Sequence, residues 1–154
     1  MFRMWIAVSL AALAGCPGDE APPACITVDL ACAPLYAPTF DNVYQMTLKL
    51  GCGSERSACH SASGQGDLSL ADPQTAYEHL LDGRVTPGDA SCSELVVRTS
   101  SPGTDYAMPP GAPLSPAARC ALIQWVQAGA PGPGQALAGT AGAAGAARAD
   151  GDER

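Results

Sequence analysis

Apolar residues recur through the middle of the chain at helical spacing, and no stretch alternates in the manner of a half-buried strand. The pattern predicts a first helix over roughly residues 40–50, with Val43, Met46, Thr47 and Leu50 on its inner face. A second helix opens at Asp72-Pro73, where a capping side chain precedes a first-turn proline, and ends near Gly83. Its buried stripe is Ala76, Tyr77, Leu80 and Leu81, which leaves His79 beside Glu78 on the solvent side. A short third helix over about 91–98 offers Leu95 and Val96. The last opens at Ser115-Pro116, again cap and first-turn proline, and stops at Gly129, with Ala118, Leu122, Trp125 and Val126 as its apolar face. The expected fold class is mainly α: one small helical domain with long loops and few or no strands.

The two ends read differently from this middle. Arg3, the apolar run from Trp5 to Leu13 and the small residues that follow form a secretory signal over residues 1–15, too short to stay in a bilayer as a spanning helix. Leu13-Ala14-Gly15-Cys16 resembles the lipobox of bacterial lipoproteins, which implies cleavage before Cys16, its lipidation, and a membrane anchor through the acyl chains. Residues 16–37 are rich in Pro and Ala and read as a tether. Residues 131–154 hold 8 Ala, 6 Gly and 2 Pro and read as a disordered tail. A folded domain over 38–130 remains. Domains this small usually need disulfides, a metal or a cofactor beside the core.

Charge and composition narrow the function. The full chain carries a net charge of −7, and loss of Arg3 with the signal makes it one unit more negative, which excludes a nucleic-acid binder that relies on a basic surface. Aromatic residues are 5% of the chain, so the core is thin for its length. Beyond Cys16, six cysteines (Cys25, Cys32, Cys52, Cys59, Cys92 and Cys120) remain in an exported chain, where disulfides are the ordinary use. Cys25 and Cys32 lie close enough in sequence for a local bridge. A Cys92–Cys120 bridge would staple the third helix to the last, for about 3 kcal/mol.

Candidate chemistry gathers in Cys52-Gly53-Ser54-Glu55-Arg56-Ser57-Ala58-Cys59-His60. A cysteine followed directly by histidine, after a helix and with a second cysteine upstream, resembles c-type haem attachment, in which thiols bond the porphyrin edge and the next side chain reaches iron. Downstream, Met108-Pro109-Pro110-Gly111 sets a thioether in a rigid loop 48 residues after His60. With the helix order, Gly66-Asp67-Leu68-Ser69-Leu70, the turn Val85-Thr86-Pro87-Gly88-Asp89, and Ile123-Gln124-Trp125-Val126-Gln127-Ala128-Gly129-Ala130, residues 38–130 resemble the small class I cytochrome c fold. More narrowly, they are similar to cytochrome-c-like domains of myxobacterial and planctomycete exported proteins.

The resemblance implies one haem c, with iron bound by His60 and Met108, and a last helix packed across the first, bringing Val43 or Leu50 to Leu122, Trp125 or Val126. It implies single-electron transfer rather than catalysis, since two filled axial positions leave no place for substrate. Arg56 stands where the usual Cys-x-x-Cys-His spacing has its first cysteine, and Cys52 lies six intervening residues from Cys59. Three arrangements follow: haem held by Cys52 and Cys59, haem held by Cys59 alone, or a Cys52–Cys59 disulfide in a haem-less, disulfide-stabilised module that would also use Cys25–Cys32 and Cys92–Cys120. A zinc site at Cys52, Cys59 and His60 lacks an evident fourth ligand. Met46 reads as core. The reading favoured is a lipid-anchored electron carrier of a bacterial envelope, on the periplasmic or extracellular face. Its acidic surface would suit a redox protein with a basic docking patch, met transiently.

Overall fold

The computed structural model describes residues 21–53, 59–62 and 64–137. The signal over 1–15, Cys16, Arg56 within the attachment motif and the tail beyond residue 137 lie outside the described residues. The domain is mainly α, with four helices and no strand among the described residues.

Helix α1 starts as an α-turn over Phe40–Val43, passes through a π-helical turn over Tyr44–Leu48, and closes with Lys49–Gly51. Thr39 Oγ1 caps it by accepting from Asn42 N. Phe40, Val43, Tyr44, Thr47 and Leu48 face the core, which keeps Val43 and Thr47 of the expected face but puts Phe40, Tyr44 and Leu48 where Met46 and Leu50 were expected. Met46 is 55% exposed and Leu50 68%, so neither is core. The aromatic rings decided the phase. Phe40 packs 5.6 Å from the Trp125 ring and 5.1 Å from that of Tyr77, and two rings bury more area than a methionine and a leucine.

Helix α2, Pro73–Leu81, is capped by Asp72, whose Oδ1 accepts from Thr75 N at 2.9 Å. That bond holds the carboxyl below its usual range. Ala76 and Leu80 are buried, whereas Leu81 lies at the surface. Helix α3, Glu94–Thr99, buries Val96 and Val97. Helix α4, Pro116–Gln127, is capped by Ser115 Oγ and packs against both α1 and α3. Val43, Leu122, Trp125 and Val126 share the central cluster, so the last helix does cross the first, though not through Leu50. The Pro-Gly-Asp turn docks on α4 through Gly88 N to Val126 O and Gln127 Nε2 to Gly88 O, both 2.9 Å.

Both edges of the folded unit lie further out than expected. Ile26, Val28 and Tyr36, within the expected tether, pack on the core. Ile26 N donates to Ser91 O and Leu35 N to Ala117 O, each at 2.9 Å, and the Tyr36 hydroxyl meets Thr47 Oγ1. At the other end Trp125 Nε1 donates to Pro131 O, and Gly132 sits against the Tyr77 ring.

Cys25, Cys32, Cys92 and Cys120 all form disulfides, but the expected pairings are corrected. Cys25 bonds Cys92 and Cys32 bonds Cys120, across 67 and 88 residues of chain. Residues 25–35 are laid along the domain between their anchors at Ser91 and Ala117, which brings each thiol to a different distant partner instead of to its sequence neighbour. Cys52 and Cys59 are not disulfide-bonded, so the Cys52–Cys59 bridge of the third arrangement is corrected as well.

Candidate functional site

The π-turn ends in a doubled hydrogen bond: Leu48 O accepts from both Cys52 N and Gly53 N at 2.9 Å. This tight exit turns the chain from α1 straight under the segment that carries His60. There His60 N donates to Cys52 O at 3.3 Å, and Leu70 N donates to His60 O at 2.7 Å, so three short segments lie side by side. Gly53 is required at this crossing. A Cβ there would stand 2.3 Å from Leu70 O.

The His60 side chain is oriented by two main-chain oxygens. Its Nδ1 lies 3.1 Å from Gln65 O and 3.2 Å from Leu68 O. Carbonyl oxygens only accept, so Nδ1 carries a proton, and in the neutral ring it is Nε2 that keeps the lone pair. This is the tautomer a metal ligand needs, and the carbonyl partners on Nδ1 are of the kind that fix the ring of ligating histidines.

Between α1, the 60–70 segment, α3 and the Met108 loop lies a cleft of about 260 Å³. Leu48, Leu68, Leu70, Leu80, Leu95 and Leu114 supply its apolar wall, and Cys52, His60 and Met108 all open onto it. Cys59 is exposed and not part of the wall. Burial pushes the Cys52 thiol up to about 11, with a smaller push from Cys59, so Cys52 is a protonated thiol at neutral pH.

The Met108 loop is held by Arg98. Met108 N donates to Arg98 O at 3.0 Å, while the guanidinium pairs with Glu94 at 2.6 Å and donates to Tyr106 O at 3.3 Å. A thiol, an imidazole with a lone pair to give and a thioether, set among six leucines, are a donor set and lining that fit haem c.

The sequence-predicted residues thus divide. Cys52, His60 and Met108 are brought together on the cleft; Cys59 is exposed and does not line it. His79 is not the solvent residue expected. It is half-buried, and its Nδ1 accepts from Ser69 N at 3.0 Å. The cleft residues Leu48, Arg84 and Arg98 were missed. The correct phase of α1 would have found Leu48; nothing in the local sequence marks the two arginines as cleft residues.

Among known proteins, a family model described as Planctomycete cytochrome C matches residues 57–111, about a third of the chain. The matched stretch takes in Cys59, His60 and Met108-Pro109-Pro110-Gly111 and begins after Cys52. No curated protein and no solved structure matches. The helical fold and the family match together support a cytochrome-c-like domain.

Proposed function

We propose that this chain is an electron-transfer lipoprotein of a bacterial cell envelope that carries one haem c in the cleft. Cys52 and Cys59 would hold the porphyrin edge, His60 Nε2 would be the proximal ligand of iron and Met108 Sδ the distal one. The observation that carries this reading is the convergence of Cys52, His60 and Met108 on one leucine-lined cleft, with His60 Nδ1 already committed to two carbonyls. The bound group supplies a single reversible electron, with no substrate bond made or broken.

The protein's part is placement and environment. The carbonyls of Gln65 and Leu68 keep the His60 ring in one tautomer, and leucines line the cleft onto which it opens. Arg98 holds the loop that presents the thioether, a soft ligand that favours the reduced metal. The net negative charge suits a redox partner with a basic docking patch, in a short-lived encounter. Lipidation at Cys16 would hold the domain at the membrane, on its periplasmic or extracellular face.

The test is the visible spectrum of the chain exported in a host that matures c-type cytochromes, followed by acid–organic extraction. Haem that stays on the polypeptide with a reduced c-type band supports the reading, and Met108→Ala should then lower the reduction potential. A colourless chain beside a control cytochrome that matures normally refutes haem binding. An unchanged potential in Met108→Ala removes Met108 from the iron.

A further inference from the structure

One of the two carbonyls that orient His60, Gln65 O, belongs to an exposed turn, and the other, Leu68 O, belongs to the half-buried residue that follows it. Gln65–Asp67 is a single 3₁₀ turn containing two successive residues at positive φ, Gly66 at 62° and Asp67 at 57°. All three are exposed, so packing does not fix them. A Cβ added at Gly66 would meet nothing within 4 Å. What fixes the turn is polar. Gln65 N donates to Cys59 O at 2.8 Å, and Ser69 N donates to His79 Nδ1 at 3.0 Å. The third fastening is Arg84, which reaches across from the end of α2. Its Nη1 donates to His79 O and Asp82 O, each at 3.2 Å, and its Nη2 donates to Gly66 O at 2.6 Å.

We infer that Arg84 is a positioning residue for His60: it clamps the Gly66 carbonyl to the C-terminal carbonyls of α2 and so sets the Gln65 and Leu68 oxygens that choose the histidine tautomer. The geometry suits a guanidinium in particular. A planar fork with several fixed N–H directions bridges three carbonyls at once, and its charge sits favourably at the negative end of a helix. A lysine keeps the charge and much of the stem but presents one compact ammonium, which cannot span the same three oxygens. This inference rests on the proposed role of His60, yet the clamp exists in the polypeptide whether or not haem is bound, so the two are tested separately.

The full mature chain would be prepared as wild type, Arg84→Gln and Arg84→Lys. Nitrogen NMR of the His60 ring reads the tautomer, and amide exchange reads the Leu70 N–H that bonds His60 O. Expected is a wild-type His60 protonated at Nδ1, a mixed tautomer in both variants, and Leu70 exchange faster by roughly three- to tenfold. Arg84→Lys should keep the thermal stability of wild type, so that its mixed tautomer cannot be put down to unfolding. Wild-type tautomer and wild-type exchange in the folded Arg84→Lys chain overturn the inference. In haem-loaded chains the reduction potential should move in both variants, and an unchanged potential with an unchanged tautomer overturns it again. A wild type that never takes up haem, but whose His60 tautomer depends on Arg84, sinks the haem reading and supports the clamp.

Discussion

Two glycines two residues apart should respond to the same substitution in opposite directions. At Gly53 a Cβ would lie 2.3 Å from Leu70 O and 2.6 Å from Leu70 Cβ, where real side chains keep at least 3.0 Å. The carbonyl must therefore retreat by about 0.7 Å, an overpacking that typically costs 1–3 kcal/mol. Leu70 has little room to give. Its side chain is 2% exposed, its N–H is bonded to His60 O, and the Tyr44 hydroxyl donates to the next carbonyl, Ala71 O, at 2.9 Å. With that first bond weakened, Gly53→Ala should destabilise by about 2–3 kcal/mol, a fall in Tm of roughly 10–20 °C for a domain of this size. At Gly51, in the last turn of α1, an added Cβ meets nothing within 4 Å. Gly51→Ala should leave Tm unchanged or raise it, since alanine is favoured in a helix by up to about 1 kcal/mol. Thermal unfolding followed by circular dichroism reads both. A Gly53→Ala chain within about 2 °C of wild type, or an equal fall in both variants, would refute the three-segment crossing at His60.

The disulfide pairing makes its own forecast: peptide mapping without reduction should recover Cys25 with Cys92 and Cys32 with Cys120, and a Cys25–Cys32 peptide would contradict the fold. Replacing both Cys32 and Cys120 by serine opens a loop of 88 residues and should cost about 2–5 kcal/mol, read as a lower denaturant midpoint with a larger m-value, since the unlinked unfolded chain exposes more surface. Cys52 predicts an alkaline effect. Its folded pKa, about 11, lies above the 9.0 of an open thiol, so the folded state holds the proton longer and the stability Cys52 contributes is complete below pH 9. It should be lost as pH rises to about 11, by roughly 2–3 kcal/mol, and the difference between wild type and Cys52→Ser in the haem-free chain isolates it from the tyrosines. A difference that stays flat across that window would mean Cys52 is not buried as described.

What the sequence by itself determined is local. Asp72-Pro73 and Ser115-Pro116 started two helices where they stand, because a cap and a first-turn proline act within four residues of each other. Cys59-His60 and Met108-Pro109-Pro110 likewise stood out as candidate ligands by adjacency, and Cys52 by its nearness upstream. Tertiary structure decided everything that depends on distant partners. The phase of α1 followed from Phe40 meeting Trp125, not from the spacing of Met46 and Leu50. The cysteines paired across 67 and 88 residues because the path of residues 25–35 over the domain, not their order in the chain, sets which thiols meet. His79 became an acceptor for Ser69, and Arg84 a clamp on Gly66, through bonds that join α2 to a loop with no periodicity to reveal them. Spacing reports what neighbours along a helix share; it carries no record of which loop folds back onto which helix, and the cleft is built where loops meet helices.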